Sequence, residues 1–215
     1  MEIAEILRRL EWFHGKFERE AVEAAVARRE EITPGLLRIM EDIVERAVEL
    51  DAQGGYMAHL YAMFLLAQFR ETRALPLVLR FALLPGELLE SLCGDFLTDD
   101  LHRVVASVCG GEIEGIKSLI ENEDAADSAR ILALSSLTIL VATGQRSRDE
   151  IVSYFGTLFQ KLPRRRSNLP KILPGKRQIL KGAVQNPAQG RRRTPFWPNL
   201  SPYDQACRKQ PERQS

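Results

Sequence analysis

The chain has 215 residues, 45% apolar and 27% charged, a balance that suits one globular domain with an appendage and leaves enough length to bury a core. Its longest apolar stretches, such as 131–142, are broken by Ser and Thr and fall short of the roughly 20 residues of a membrane span. Met1-Glu2-Ile3-Ala4-Glu5 is acidic where a secretory signal is basic, so no membrane contact and a cytoplasmic location are expected.

The first apolar stripe is Ile3, Ile6, Leu7, Leu10, Phe13 and Phe17, at steps of three and four, which predicts a helix over 1–14 that Gly15 interrupts. A second helix is expected from Glu18. It turns Ala21, Val22, Ala25 and Val26 inward and Glu18, Glu20, Glu23, Arg28 and Arg29 outward. Thr33 then reads as an N-cap and Pro34 as the first residue of a third helix, where its missing N–H costs nothing. The stripe of that helix is Leu36, Leu37, Ile39, Met40, Ile43, Val44, Ala47, Val48 and Leu50, and its wet face carries Glu41, Asp42, Glu45 and Glu49. Gln53-Gly54-Gly55 ends it.

From Tyr56 the pattern repeats. Leu65-Leu66-Ala67-Gln68-Phe69, Val104-Val105-Ala106-Ser107-Val108 and Leu140-Val141-Ala142-Thr143-Gly144 each close an apolar helix, with alanines spaced by 39 and 36 residues. A short polar turn and a second helix follow each, over 74–84, 112–120 and 147–162. Two helices per unit at that period are the pattern of short HEAT-type repeats. Asp127 can cap a helix starting at Ser128, and Ser147-x-x-Glu150 reads as a capping box. No alternating run bounded by turns appears, so no sheet is expected. The fold class is therefore all-α, a HEAT-like α-solenoid of stacked helical hairpins over 1–162.

Several blocks closely resemble a bacterial family known as domain of unknown function 1186. They are Ala27-Arg28-Arg29-Glu30-Glu31-Ile32-Thr33-Pro34-Gly35-Leu36-Leu37, Leu66-Ala67-Gln68-Phe69-Arg70-Glu71-Thr72-Arg73-Ala74, Leu84-Pro85-Gly86-Glu87-Leu88, Ala106-Ser107-Val108-Cys109-Gly110-Gly111 and Ile116-Lys117-Ser118-Leu119-Ile120-Glu121-Asn122. The resemblance runs from near Met1 to about Phe159 and implies a HEAT-like helical fold without an established activity. Some relatives end in a Cys/His zinc motif; only Cys207 follows Cys109 here, so no zinc site is carried over.

The net charge of +1 conceals a split at this point. Residues 1–162 hold 17 Lys and Arg against 27 Asp and Glu, a net of −10, whereas residues 163–215 hold 13 against 2, a net of +11. Beyond Leu162 the helical period fails and Arg and Pro rise. Two readings stay open for 163–215, a frameshifted C-terminus and a mostly disordered basic tail, whose charge opposes a packed core; a small folded domain has little to support it. As a native tail, Arg191, Arg192 and Arg193 would meet phosphates and Trp197 would stack on unpaired bases, so nucleic acid is a partner only through this segment.

No residue pattern in the body carries chemistry. Asp99 and His102, at i and i+3, are the one pair spaced to act as base and orienter, yet Asp99 and Asp100 read more simply as caps of the helix through Val108. Gly54-Gly55 and Gly110-Gly111 fit no phosphate-loop motif and read as helix stops. Cys93 and Cys109 read as small core residues. Catalytic, cofactor and metal residues are therefore assigned to none. A protein-interaction scaffold with an unidentified protein partner is the favoured function, with Trp12, Glu41 and Glu45 as candidate contacts; nucleic-acid association through the tail is the alternative.

Overall fold

A computed structural model describes residues 1–161, and the chain divides into two units, Met1–Gly156 and Thr157–Ser215. The tail residues Arg191, Arg192, Arg193 and Trp197, and the disorder expected around them, lie outside the described residues. Among the described residues the protein is all-α, with no strand. In chain order the helices are α1 (Ile3–Glu11), α2 (Arg19–Ala27), α3 (Arg29–Gln53), α4 (Ala58–Phe69), α5 (Leu75–Ala82), α6 (Gly86–Cys93), α7 (Phe96–Asp99), α8 (Leu101–Val108), α9 (Glu114–Glu121), α10 (Asp127–Ala142) and α11 (Arg148–Lys161), with a 3-10 turn at Thr72–Ala74. No helix among them is long and apolar enough to cross a membrane.

The predicted periodicities explain the packing. Helix α4 lies between α3 and α8, and α8 in turn packs on α10. Helix α3 also packs on α5, and α5 on α9. The three helices that the repeat alignment superimposes, α4, α8 and α10, thus form a row, each packed on the next. Helix α4 is buried on nearly every side, from Ala58 to Phe69, because it is the middle layer of that arrangement. Helices α6 and α7 fill the connection between α5 and α8, a stretch the period alone did not resolve into two helices.

Several expectations need correction. Helix α3 begins at Arg29, not at Pro34, and Thr33 is no N-cap: it is buried and its hydroxyl donates to the Arg29 carbonyl at 2.7 Å. Burial of Ile32 and Thr33 extends the helix toward its N-terminus, and Pro34 sits close enough to that end to forfeit a single backbone bond. Glu18 is not on the wet face. It is 5% exposed and accepts from Arg9 Nε and Nη2 at 3.0 and 2.7 Å, while its own N–H donates to Tyr61 Oη. Phe13 and Val48 are not core, at 55% and 73% exposed. The chain has left the helix by Phe13, and Val48 flanks the buried line Met40, Ile43, Ala47 and Leu50.

Another concerns Asp99 and His102. They share no helix face, because Asp100 (φ −132°, ψ −26°) breaks the chain between α7 and α8. Asp99 accepts from Thr98 Oγ1 at 3.1 Å, and Asp100, at the N-cap position of α8, makes no side-chain capping bond. Asp127 is the first residue of α10 rather than its cap, and Glu150 of the expected capping box lies 3.6 Å from Arg146. Cys93 and Cys109 are buried, as small core residues should be.

Two local features report on this packing. Each helix of the α4–α8–α10 row ends at a residue in the left-handed region: Arg70 (φ 52°), Gly110 (φ 57°) and Gly144 (φ 71°). At Gly110 a Cβ would lie 2.5 Å from Thr72 Cγ2, so the close approach of this turn to the 3-10 turn requires glycine. His59, in α4, is fully buried between Tyr56 and Phe81; its Nε2–H donates to the Leu92 carbonyl at 2.9 Å and its Nδ1 has no partner. Burial lowers its pKa from 6.5 to about 4, against a smaller opposing effect of the Leu92 carbonyl.

Three outcomes follow for denaturant melts. Gly110→Ala should destabilise the chain by about 1–3 kcal/mol, from backbone strain and the Thr72 contact together, whereas Arg70→Gly should stabilise it by about 0.5–1 kcal/mol. Because the unfolded chain takes up the His59 proton first as pH falls, stability is retained above pH 6.5 and decreases toward pH 4, by up to about 3 kcal/mol from this residue. His59→Leu should flatten that part of the pH profile; an unchanged slope between pH 7 and 4.5 would remove His59 as its source.

Candidate functional site

The end of α1 is clamped to the end of α3 by a short piece of extended chain. Trp12 (φ −122°, ψ 153°) leaves the helix and forms an isolated antiparallel bridge with Tyr56. The Phe13 N–H donates to the Gly55 carbonyl at 2.8 Å and the Met57 N–H to the Glu11 carbonyl at 2.9 Å. The Trp12 and Tyr56 rings meet edge to face, with centroids 5.5 Å apart. Gly54 and Gly55, both at positive φ, supply the turn that brings Tyr56 back.

Midway along α1, Leu7 lies against Gly35 of α3. A Cβ at position 35 would fall 2.7 Å from Leu7 Cδ1, so the missing side chain lets the two helices approach. Between this crossing and the clamp lies an open cleft of about 420 Å³. Arg8, Glu11 and Trp12 line one wall; Arg38, Asp42 and Arg46 line the other, with Tyr56 at the clamped end. Arg46 also marks a kink in α3, with φ −117° and ψ 20°.

The charges of the cleft are not equivalent. Arg46 is engaged with Glu49 by two hydrogen bonds at 3.0 and 2.6 Å, and this pair holds the Glu49 carboxyl below its ordinary range. Arg8 and Arg38 make no ion pair with any described residue, whereas Arg9, next to Arg8 in α1, is held by Glu18 and Glu20. Burial first, and then the negative charges of Glu11 and Asp42, push the Tyr56 phenol up to about 12. The wall thus offers two free guanidiniums, two carboxylates and an aromatic pair.

Of the residues singled out from sequence, Trp12 lies in this cleft and is half-buried, while Glu41 and Glu45 are exposed on α3 outside it. Asp42, read only as wet face, lines it because it shares the helical face of Gly35 and Arg38. Arg8, Arg38 and Tyr56 were not singled out. The cleft exists through the Leu7–Gly35 crossing, and no local pattern announces a contact between residues 28 positions apart. Burial raises the thiol pKa of Cys93 to about 12 and that of Cys109 less far, so neither is a thiolate near neutrality.

Comparison with known proteins places this body among relatives. A model for a family described as protein of unknown function (DUF1186) matches residues 1–174. An uncharacterised protein of Chlamydia trachomatis serovar D is 42% identical over 158 residues, covering 74% of this chain and 62% of that protein. An uncharacterised protein of Chlamydia muridarum is also 42% identical over 158 residues, covering 63% of its own length. The aligned part of the chain therefore spans less than two thirds of these curated relatives. No solved structure matches. A match over most of the chain, together with relatives at this identity, shows that the chain belongs to the DUF1186 family of proteins of unknown function.

Proposed function

We propose that the protein is a non-enzymatic, cytoplasmic protein-interaction scaffold, built as a HEAT-like stack of helical hairpins. The observation that carries this reading is the successive packing of α4, α8 and α10, and of α3, α5 and α9, together with an open, charged cleft at the N-terminal end. Stacked helices of this kind present long, continuous helix surfaces rather than one enclosed pocket, and such surfaces bind other chains. The cleft adds what an interaction surface needs at its centre: an edge-to-face aromatic pair and arginines that are free to bond a partner. Fold analogy contributes nothing further, since helical stacks serve many roles.

The test is quantitative affinity capture from the source cell with the tagged full-length chain. Arg38 is exposed and unpaired, so Arg38→Glu should leave the melting temperature unchanged while lowering recovery of the specific partner at least tenfold, equivalent to about 1.4 kcal/mol. Glu41→Lys with Glu45→Lys, on the neighbouring face, should have a smaller effect. Recovery of chaperones alone would count against the scaffold reading, and a specific partner set indifferent to both changes would move the binding surface away from this end of the protein.

A further inference from the structure

We propose that the cleft between α1 and α3 binds a segment of a partner protein in which an acidic and a basic side chain flank an apolar one. This rests on the interaction reading above and adds the chemistry of the partner. Ala4, Arg8 and Glu11 on α1, and Gly35, Arg38, Asp42 and Arg46 on α3, recur at steps of three and four, so each helix presents one face to the cleft. Along that face the charges are sorted. Arg8 and Arg38 adjoin the Leu7–Gly35 crossing, and both are free of ion pairs with described residues. Glu11 and Asp42 stand nearer the Trp12–Tyr56 clamp, where their charges reach the Tyr56 hydroxyl. Arg46 stands at this same end, where its charge also reaches Asp42 and Tyr56, and Glu49 offsets that charge through two hydrogen bonds to its guanidinium.

A ligand that satisfies both ends must carry opposite charges separated by the rise from Arg38 to Asp42, about 6 Å at 1.5 Å per residue. That spacing is one turn of a helix or two residues of extended chain, which a peptide segment supplies. An acidic side chain then meets two guanidiniums in charge-assisted bonds. A Lys or Arg lies between two carboxylates and against the aromatic rings, where a cation is attracted to the ring faces. The apolar residue between them meets Ile39, an apolar residue of the lining that falls between Arg38 and Asp42 in α3. Charge complementarity also selects against a nucleic acid: successive phosphates would be brought onto Glu11 and Asp42, in a body whose residues 1–162 carry a net charge of −10.

The experiment is selection of a displayed library of random 12-residue peptides on the full-length chain, with counter-selection against an Arg8→Glu/Arg38→Glu double variant. Enriched peptides should share an acidic and a basic residue three or four positions apart, or two apart, around an apolar one. A synthetic peptide from that set should lose at least tenfold in affinity for Arg38→Glu. Replacing its acidic residue by lysine should restore binding to Arg38→Glu while weakening binding to the unaltered chain. Enrichment without a charge pattern, equal binding to the double variant, absence of rescue, or tighter cleft-dependent binding of a single-stranded 20-nucleotide probe would each overturn the proposal. If partner capture from cells persists through another surface while the cleft selects no such peptide, the scaffold reading stands and this one falls.

Discussion

Burial of one stripe on α3 holds the N-terminal half of the protein together. Ile32, Leu36, Met40, Ile43, Ala47 and Leu50 follow one another at steps of three and four, and all are buried. Helices α1, α2, α4, α5 and α6 all pack against α3, so this one helix has five neighbours. Each large member contributes about 1.5–3 kcal/mol on burial. That gain also accounts for the helix that runs through Pro34: losing one backbone bond near the N-terminus costs less than exposing Ile32. The same helix that organises the core supplies, on its other flank, one wall of the cleft.

Arginine side chains complete what the apolar stripe begins. Arg29 donates to the Phe69 carbonyl at the end of α4 and lies over the Phe69 ring, tying the start of α3 to the end of α4. Arg130 donates to the Ile120 carbonyl near the end of α9 at 2.9 Å, and Arg9 spans Glu18 and Glu20 to fix the turn between α1 and α2. Helix C-termini carry unpaired carbonyls and partial negative charge, so a guanidinium there satisfies both needs. Farther along, Lys117 lies over the Tyr154 ring while Tyr154 Oη bonds Glu121 at 3.1 Å, and these contacts join Tyr154 of α11 to α9.

The candidate site follows from two backbone permissions rather than from a motif. Gly35 lets Leu7 approach, and Gly54-Gly55 returns Tyr56 to Trp12; the cleft is the space that remains between those two contacts. Its chemistry was partly legible. Trp12 stood out because an aromatic beside the main stripe needs either a partner ring or solvent, and it has both. Arg8, Asp42 and Arg38 did not, because on a linear chain they are ordinary members of charged helix faces. Glu41 and Glu45 drew attention by charge density, yet the neighbouring helical face is the one α1 crosses.

The sequence by itself determined the helical class, the absence of any alternating strand pattern, the apolar lines of α3, α4, α8 and α10, and the family. These are local or strictly periodic properties, set by which residue types recur every three or four positions. It also determined the change in charge and composition after Leu162. Only the tertiary structure decided that Glu18 is buried, that Phe13 and Val48 face solvent, and that Asp99 and His102 sit on different helices. It alone decided which arginines find partners. Each of these depends on where a second helix crosses the first, and that crossing is chosen by side-chain volumes far apart in the chain.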